Sequence, residues 1–184
     1  MLRAFRHCVV FFALVLAMAG SPVMAADCAA GPFVTAAGRA LLGAAHSRSP
    51  ARLSTAAARY GDIHALALFA LGPFRKSLPP AREGEYVSLT RSFIGHFLAR
   101  YADRVSGSNL TVVSCTGGDK SPTVTAKFTG GGKVIFRLYK ARRGYLMRDV
   151  NIGGVWLGGQ MRASFTSILQ KNRGEMAALF AYLR

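Results

Sequence analysis

Apolar positions along this chain recur first with a helical period and then with a strand period, and the change falls near residue 106. Residues 33–45, rich in Ala and Leu, read as a helix, and residues 52–60 as a second, shorter one. Asp62 is placed to cap a third, which carries His64, Leu66 and Phe69 to about Leu71, where Gly72-Pro73 stops it. Pro79 and Pro80 suit the first turn of a longer helix. Along it Tyr86, Leu89, Phe93, Phe97 and Tyr101 recur at steps of three or four and form one apolar stripe. Residues 110–115, 123–128, 133–141 and 145–152 then alternate as strands. Gly117-Gly118, Gly130-Gly131-Gly132 and Arg143-Gly144 separate them, so consecutive antiparallel hairpins follow. Val124, Ala126 and Phe128 share one face, as do Val134, Phe136 and Leu138. In the last strand the apolar face is Leu146, Val150 and Ile152, with Arg148 interrupting. Residues 160–170 and 175–183 close the chain as helices.

One apolar face per strand means that the sheet covers something. The expected fold is α+β: N-terminal helices packed on a strongly curved antiparallel sheet of about four to five strands, with C-terminal helices. A curved sheet closed by helices leaves a hollow or fills a core. There is no internal repeat and no linker long enough to separate independent domains. The expected division is a helical part over about 27–105, a sheet part over about 106–157 and C-terminal helices over about 160–184.

The first 25 residues carry a different signal. Arg3 and Arg6 precede a run of 12 almost wholly apolar residues, 8–19, which Gly20-Ser21-Pro22 breaks before the small Ala25. That is the order of a cleaved secretory leader. The run is short of the ~20 residues that span a bilayer. The 184-residue chain carries 24 Lys and Arg against 8 Asp and Glu, a formal charge of +16; without the two leader arginines it is +14. In an exported domain such a charge points to anionic lipid surfaces or acidic protein patches, and not to nucleic acid. Its plainest meaning is solubility. Cys28 and Cys115 survive leader removal, an even number in an oxidising compartment. They would pin the start of the domain to its middle as a disulfide; two buried free thiols are the alternative.

Chemistry-bearing motifs are scarce. His46, His64 and His96 have no second His or Cys at metal-ligand spacing, so no metal site is expected. Glu83 and Glu85 fall at the start of the long helix, where negative charge favours the helix dipole. No nucleophile elbow and no P-loop occurs. Asp149 and Asn151 are expected to face away from any hollow, and His64 to be half-buried. Trp156 reads as a core anchor or the edge of a lid, and Arg142-Arg143 as a solvated hairpin tip.

Residues 149–157 (DVNIGGVWL) and 160–165 (QMRASF), followed by 168–174 (ILQKNRG), Leu179 and Leu183-Arg184, resemble the end of the MlaC family of periplasmic phospholipid-binding proteins. Upstream, Tyr60-Gly61-Asp62-Ile63 with Phe69-Ala70-Leu71-Gly72, then Arg75, Phe93, Leu98, Tyr101 and Phe136-Arg137-Leu138 are similar to that family's segments in the same order. Gly153 and Trp156 stand where the family carries Glu and Ser, and Ala163 where it has a first Ser. The resemblance implies no enzyme and no cofactor, but a periplasmic carrier with phospholipid as cargo, a hopanoid or another lipid being the alternative. It implies as partners an inner-membrane ABC transporter complex with its periplasmic lipid-binding subunit, and an outer-membrane lipoprotein–porin complex, in the service of outer-membrane lipid asymmetry.

The pocket walls expected on this reading are the strand faces Phe128, Val134, Phe136, Leu138, Val150 and Ile152 with the helix aromatics Phe69, Phe93, Phe97 and Tyr101. Val155, Trp156 and Phe165 would close one end. Arg162 would bond carbonyls within the fold or approach the phosphate. Two other readings compete: a basic secreted binding module with a solid core, and a small hydrolase or isomerase with a polar hollow.

Overall fold

Helix boundaries follow local side-chain chemistry. The computed structural model describes residues 28–104, 107 and 109–184, so the leader segment lies outside the described residues. Helix α1 is Gly31–His46. Helix α2, Pro50–Tyr60, starts behind Ser49, whose hydroxyl accepts from the Arg52 amide, with Pro50 in the first turn. Helix α3, Ile63–Ala70, is capped by Asp62, whose carboxylate accepts the Ala65 amide at 2.9 Å. Helix α3 stops ahead of Gly72-Pro73 as expected, and a 3-10 segment, Gly72–Ser77, follows; Pro79 and Pro80 do not open the long helix but lead through a second such turn, Pro80–Arg82, into α4, Glu83–Arg100. Glu83 and Glu85 do sit in the first turn of α4. There Glu85 accepts from Arg82 and Arg184, and those hydrogen bonds hold its carboxyl below the usual range. His64 is exposed, not half-buried, with Nε2 2.6 Å from Glu83 Oε1. Helix α5 is Leu157–Lys171 and α6 is Met176–Leu183.

Five strands form one open antiparallel sheet in the order of the chain: β1 Leu110–Thr116, β2 Thr123–Phe128, β3 Lys133–Ala141, β4 Gly144–Ile152 and β5 Val155–Trp156. Antiparallel partners point to one face. Val134, Phe136 and Leu138 of β3 are thus joined by Val124 and Ala126 of β2 and by Ile152 and Val150 of β4. The rest of β4 departs from the expected alternation. Register shifts between Arg137 and Leu138, and Leu138 pairs with Met147. Arg148 is the extra residue of that bulge, so Met147 and not Leu146 continues the inner face. A bulge in β1 does the same at Val113, which is left 44% exposed, and brings Cys115 opposite Val124 on the inner face. Cys115 is disulfide-bonded there to Cys28, 5.8 Å away between Cα atoms, just ahead of α1.

The helices lie against this inner face and against each other. Two glycines allow the closest approaches. A Cβ on Gly95 would lie 2.2 Å from the Pro50 carbonyl oxygen, which is how α2 comes to cross α4. A Cβ on Gly38 would lie 2.8 Å from Leu110, which is how α1 lies on β1. Between α3, α4, α5 and α6, Tyr86, Phe165, Phe180, Leu169 and Leu179 are at most 1% exposed.

Candidate functional site

Between the sheet and the first helix pair the filling is incomplete. Packing side chains of different length across a concave sheet leaves a gap wherever small residues face it. Here Gly38, Leu41, Leu42 and Ala45 of α1 and Leu53, Ala57 and Tyr60 of α2 form one wall of a cleft. Phe128, Val134 and Phe136, with Met147, Val150 and Ile152 of β4, form the other. Ile63 and Leu66 of α3, Ile94 and Leu98 of α4, Tyr101 and Leu157 complete it. The cleft is narrow, about 60 Å³, less than the ~150 Å³ apolar cavity that accepts a benzene ring. Its lining is aliphatic and aromatic except at the rim, where Arg148 and Asp149 border it. Such a space desolvates hydrocarbon and holds no polar group of its own across the middle.

Rings and backbone bonds flank the cleft beside Tyr60, Gly61 and Met147. Phe33 meets Tyr60 at 5.7 Å and Tyr145 at 6.2 Å between centroids. The Asp62 amide donates to the Met147 carbonyl at 2.9 Å, and Gly61 forms a parallel bridge with Met147. Tyr139 donates its hydroxyl to the Asp62 carboxylate, which raises the phenol's pKa above the ordinary value. Arg148 lies over the Tyr139 ring at 5.0 Å.

Asp149 reaches the cleft's edge, where the sequence suggested it would face away. Its carboxylate accepts the amides of Val150 and Gly158, both at 2.9 Å, and so caps the first turn of α5 from outside. Burial raises its pKa above the ordinary carboxylate value; the two amide bonds and the Arg137 charge act in the opposite sense. Asn151 is 7% exposed and accepts the Gly154 amide at 3.1 Å. Among the described residues no group of three or more His, Cys, Asp or Glu side chains is placed to hold a metal ion. None of the described helices is long and apolar enough to cross a membrane.

Of the residues named from sequence as walls, the fold brings Tyr101, Phe128, Val134, Phe136, Val150 and Ile152 together around the cleft. The others lie elsewhere. Leu138 is buried, but beyond the cleft in the core. Phe165 is fully buried in the helical bundle, with Phe93 at 5.2 Å and Tyr182 at 6.5 Å. Phe93 and Phe97 line a separate surface cleft beside α5. Phe69 is 49% exposed, and the guanidinium of Arg162 lies 5.0 Å over its ring. Arg162 thereby covers Phe69 and Gly72, where a Cβ would lie 3.0 Å from its Nε, and does not reach the cleft. Val155 pairs with Ile152 in β5, and Trp156 stacks under Arg137 at 3.8 Å, so neither closes the cleft.

Sequence reasoning missed the whole contribution of α1 and α2. The signal was present as Gly38, Leu41, Leu42 and Ala45, on one face of a helical period, with Leu53, Ala57 and Tyr60 repeating the pattern on the next helix.

Curated protein sequences contain no match to this chain. Among solved structures, the phospholipid-binding protein from Ralstonia solanacearum, determined in complex with a phospholipid, is similar in fold. Its TM-score is 0.60 at 19% identity, over 84% of this chain and 94% of that one. The family model described as MlaC protein matches residues 35–184, from within α1 through α6, and the chain belongs to that family.

Proposed function

We propose that this chain is a lipid carrier of the periplasm that holds phospholipid acyl chains in the cleft between the sheet and α1–α2. It moves them between an outer-membrane lipoprotein–porin complex and an inner-membrane ABC transporter complex with its periplasmic lipid-binding subunit, and so serves outer-membrane lipid asymmetry. The observation that carries the reading is the cleft itself: its body is walled by apolar side chains from the sheet and from α1, α2, α3 and α4. Family membership and the phospholipid-bound structural neighbour support the same reading.

The energetics set what such a cleft must do. Exposing an acyl chain of about 16 carbons costs on the order of 13 kcal/mol, at ~0.8 kcal/mol per CH₂. Carriage requires an apolar space that nearly matches the bilayer, and delivery requires that it not exceed it. A volume of about 60 Å³ is that of a closed state. Loading therefore separates α1 and α2 from the sheet, and the transferred hydrocarbon offsets the contacts given up. No bond is made or broken, so the chain needs no acid, base or metal. The formal charge, +14 without the two leader arginines, speeds encounter with anionic head groups or acidic partners in a salt-dependent way.

The test is mass spectrometry of lipids extracted from the gently purified protein, with roughly stoichiometric diacyl phospholipid expected. Protein that stays lipid-free even after incubation with vesicles sinks the proposal and returns the chain to a basic binding module with a filled core. Ala57→Leu sharpens the test. It fills the cleft from α2, and stabilises the lipid-free protein by about 0.5–1 kcal/mol. It lowers lipid retention at least about tenfold, which in free energy is ~1.4 kcal/mol.

A further inference from the structure

The C-terminal end of α3 sets an exposed ring among cations that have no counterion. Phe69 is 49% exposed; with Val113 and Tyr182 it makes up the large apolar side chains left open to solvent among the described residues. The guanidinium of Arg162 covers one face of its ring. The 3-10 segment that follows, Gly72–Ser77, lies back against α5 and the turn after it. A Cβ on Gly72 would meet Arg162, and one on Gly174 would lie 3.5 Å from the Phe74 ring. Phe74 is half-buried there, exposed Arg75 and Lys76 follow it, and exposed Arg173 precedes Gly174. Arg75, Lys76, Arg162 and Arg173 form no ion pair among the described residues. Neither 63–77 nor 157–174 contains an Asp or Glu, and Glu175 is the first acid beyond them. Glu83 and Glu85 of α4 are already engaged by His64, Arg82 and Arg184.

We infer that this patch docks the chain on the surface of an anionic phospholipid bilayer, with Phe69 entering the interface and the four cations lying over the phosphates. The inference goes beyond the carrier reading, which needs only the cleft. An exposed ring on its own is ordinary, and so is an exposed cation. A ring that projects from a face carrying four unpaired cations is the pairing that a bilayer takes up: hydrocarbon beneath a negative surface. Such a surface yields to a projecting side chain, so it needs no hollow shaped to receive one. Each Lys or Arg held near it strengthens binding, and salt weakens the attraction. The patch also leaves the cleft free. Ile63 and Leu66, earlier in α3, line the cleft, and Phe69 lies outside it at the other end of the helix.

The experiment floats the purified protein with two kinds of vesicle, phosphatidylcholine alone and phosphatidylcholine mixed with phosphatidylglycerol. Recovery with the anionic vesicles only, falling as salt rises, is expected. Arg75→Gln combined with Lys76→Gln lowers the partition coefficient more than about tenfold, at ~fivefold per charge. Phe69→Ser lowers it about fivefold. Arg142→Gln combined with Arg143→Gln takes the same charge from the exposed tip between β3 and β4 and leaves it within about twofold. All of these side chains are exposed, so the variants keep the fold, which circular dichroism checks. Protein that ignores the anionic vesicles overturns the inference; lipid extracted from the same preparation reads the carrier proposal separately. Equal loss in the tip variant assigns the effect to net charge and overturns it. Phe69→Ser that partitions like the parent overturns it too, because adsorption then needs no ring. Patch variants that bind vesicles like the parent but no longer bind a purified inner- or outer-membrane complex give the patch to a protein and overturn the bilayer as its occupant.

Discussion

The bundle of α3–α6 and the sheet with α1–α2 are built from similar residues and are filled to different degrees. In the bundle, Tyr86 meets Phe180 at 6.2 Å and Phe165 meets Phe93 at 5.2 Å, edge to face, and the larger side chains are sealed from solvent. Over the sheet, Ala45 and Ala57 stand where bulkier residues would have filled the gap. Large rings close a core; small residues opposite a β-branched sheet face leave it open. On the proposed function, the first region serves as scaffold and the second holds the cargo.

The comparison breaks if the two regions answer truncation alike. Phe165→Ala in the bundle should cost about 3–5 kcal/mol, because its neighbours cannot collapse onto the void. Leu41→Ala, half-buried on the cleft wall, should cost under about 2 kcal/mol, since part of its surface already faces a gap. Chemical denaturation of both variants measures the contrast. Equal losses would mean that the cleft wall is as tightly packed as the bundle.

Next in size is the tether of the open region. Replacing Cys28 and Cys115 by Ser releases a closure over a sequence separation of 87 and should cost about 2–4 kcal/mol. The loss should be uneven. Amide exchange in α1 should accelerate by sub-global opening, while α4–α6 exchange only through global unfolding. Uniform acceleration in both regions would show that α1 is no looser than the bundle.

Much of the architecture could be read from the chain, and the failures share a cause. Asp62 and Glu83 mark helix starts because capping is local chemistry, and turns rich in glycine separate the first four strands in order. Bulges are not local in that sense. Strict alternation puts Leu146 on the inner face, and only the extra residue at Arg148, visible through its pairing partners, substitutes Met147. The short strand β5, two residues after a glycine turn, is too brief to show a period. The site was less legible than the fold. Taking aromatic size as the mark of a pocket wall selected Phe93, Phe97 and Phe165, which the bundle uses as filling or surface. The open wall is marked by the opposite property, smallness at helical spacing.

A finer contrast separates two tyrosines. Tyr86 of the bundle is fully buried and donates its hydroxyl to the Ala67 carbonyl at 2.7 Å; burial pushes its pKa well above the ordinary phenol value. The hydroxyl of Tyr145, whose ring lies against Phe33, is buried without a hydrogen-bond partner among the described residues. Tyr86→Phe should therefore cost about 1 kcal/mol and leave the Ala67 carbonyl unsatisfied. Tyr145→Phe should be neutral or slightly stabilising, since it removes a desolvated group that gains nothing in return. Thermal unfolding of the pair decides; a Tyr145→Phe loss as large as that of Tyr86→Phe would show that its hydroxyl is satisfied in solution.

The smallest expected effect sits at the seam between the two regions. Asp149 belongs to the sheet yet caps α5, and its folded-state pKa is raised, first by burial, above the ordinary carboxylate value. An acid with a raised folded pKa favours the fold in its protonated form. Its contribution is fully present below the unfolded value and is lost as pH rises through the folded one. Asp149→Asn keeps a carbonyl oxygen for the Gly158 amide and removes the titration. Relative to the parent, the variant should gain stability as pH rises from below 3.8 to neutrality. The gain should stay below about 1 kcal/mol, because solvent screens a carboxylate that is not fully buried. Denaturant midpoints of both proteins across that range give the difference directly. A difference that does not change with pH would show that Asp149 titrates in the fold as it does in the open chain, and that the seam is as wet as the outer face of the sheet.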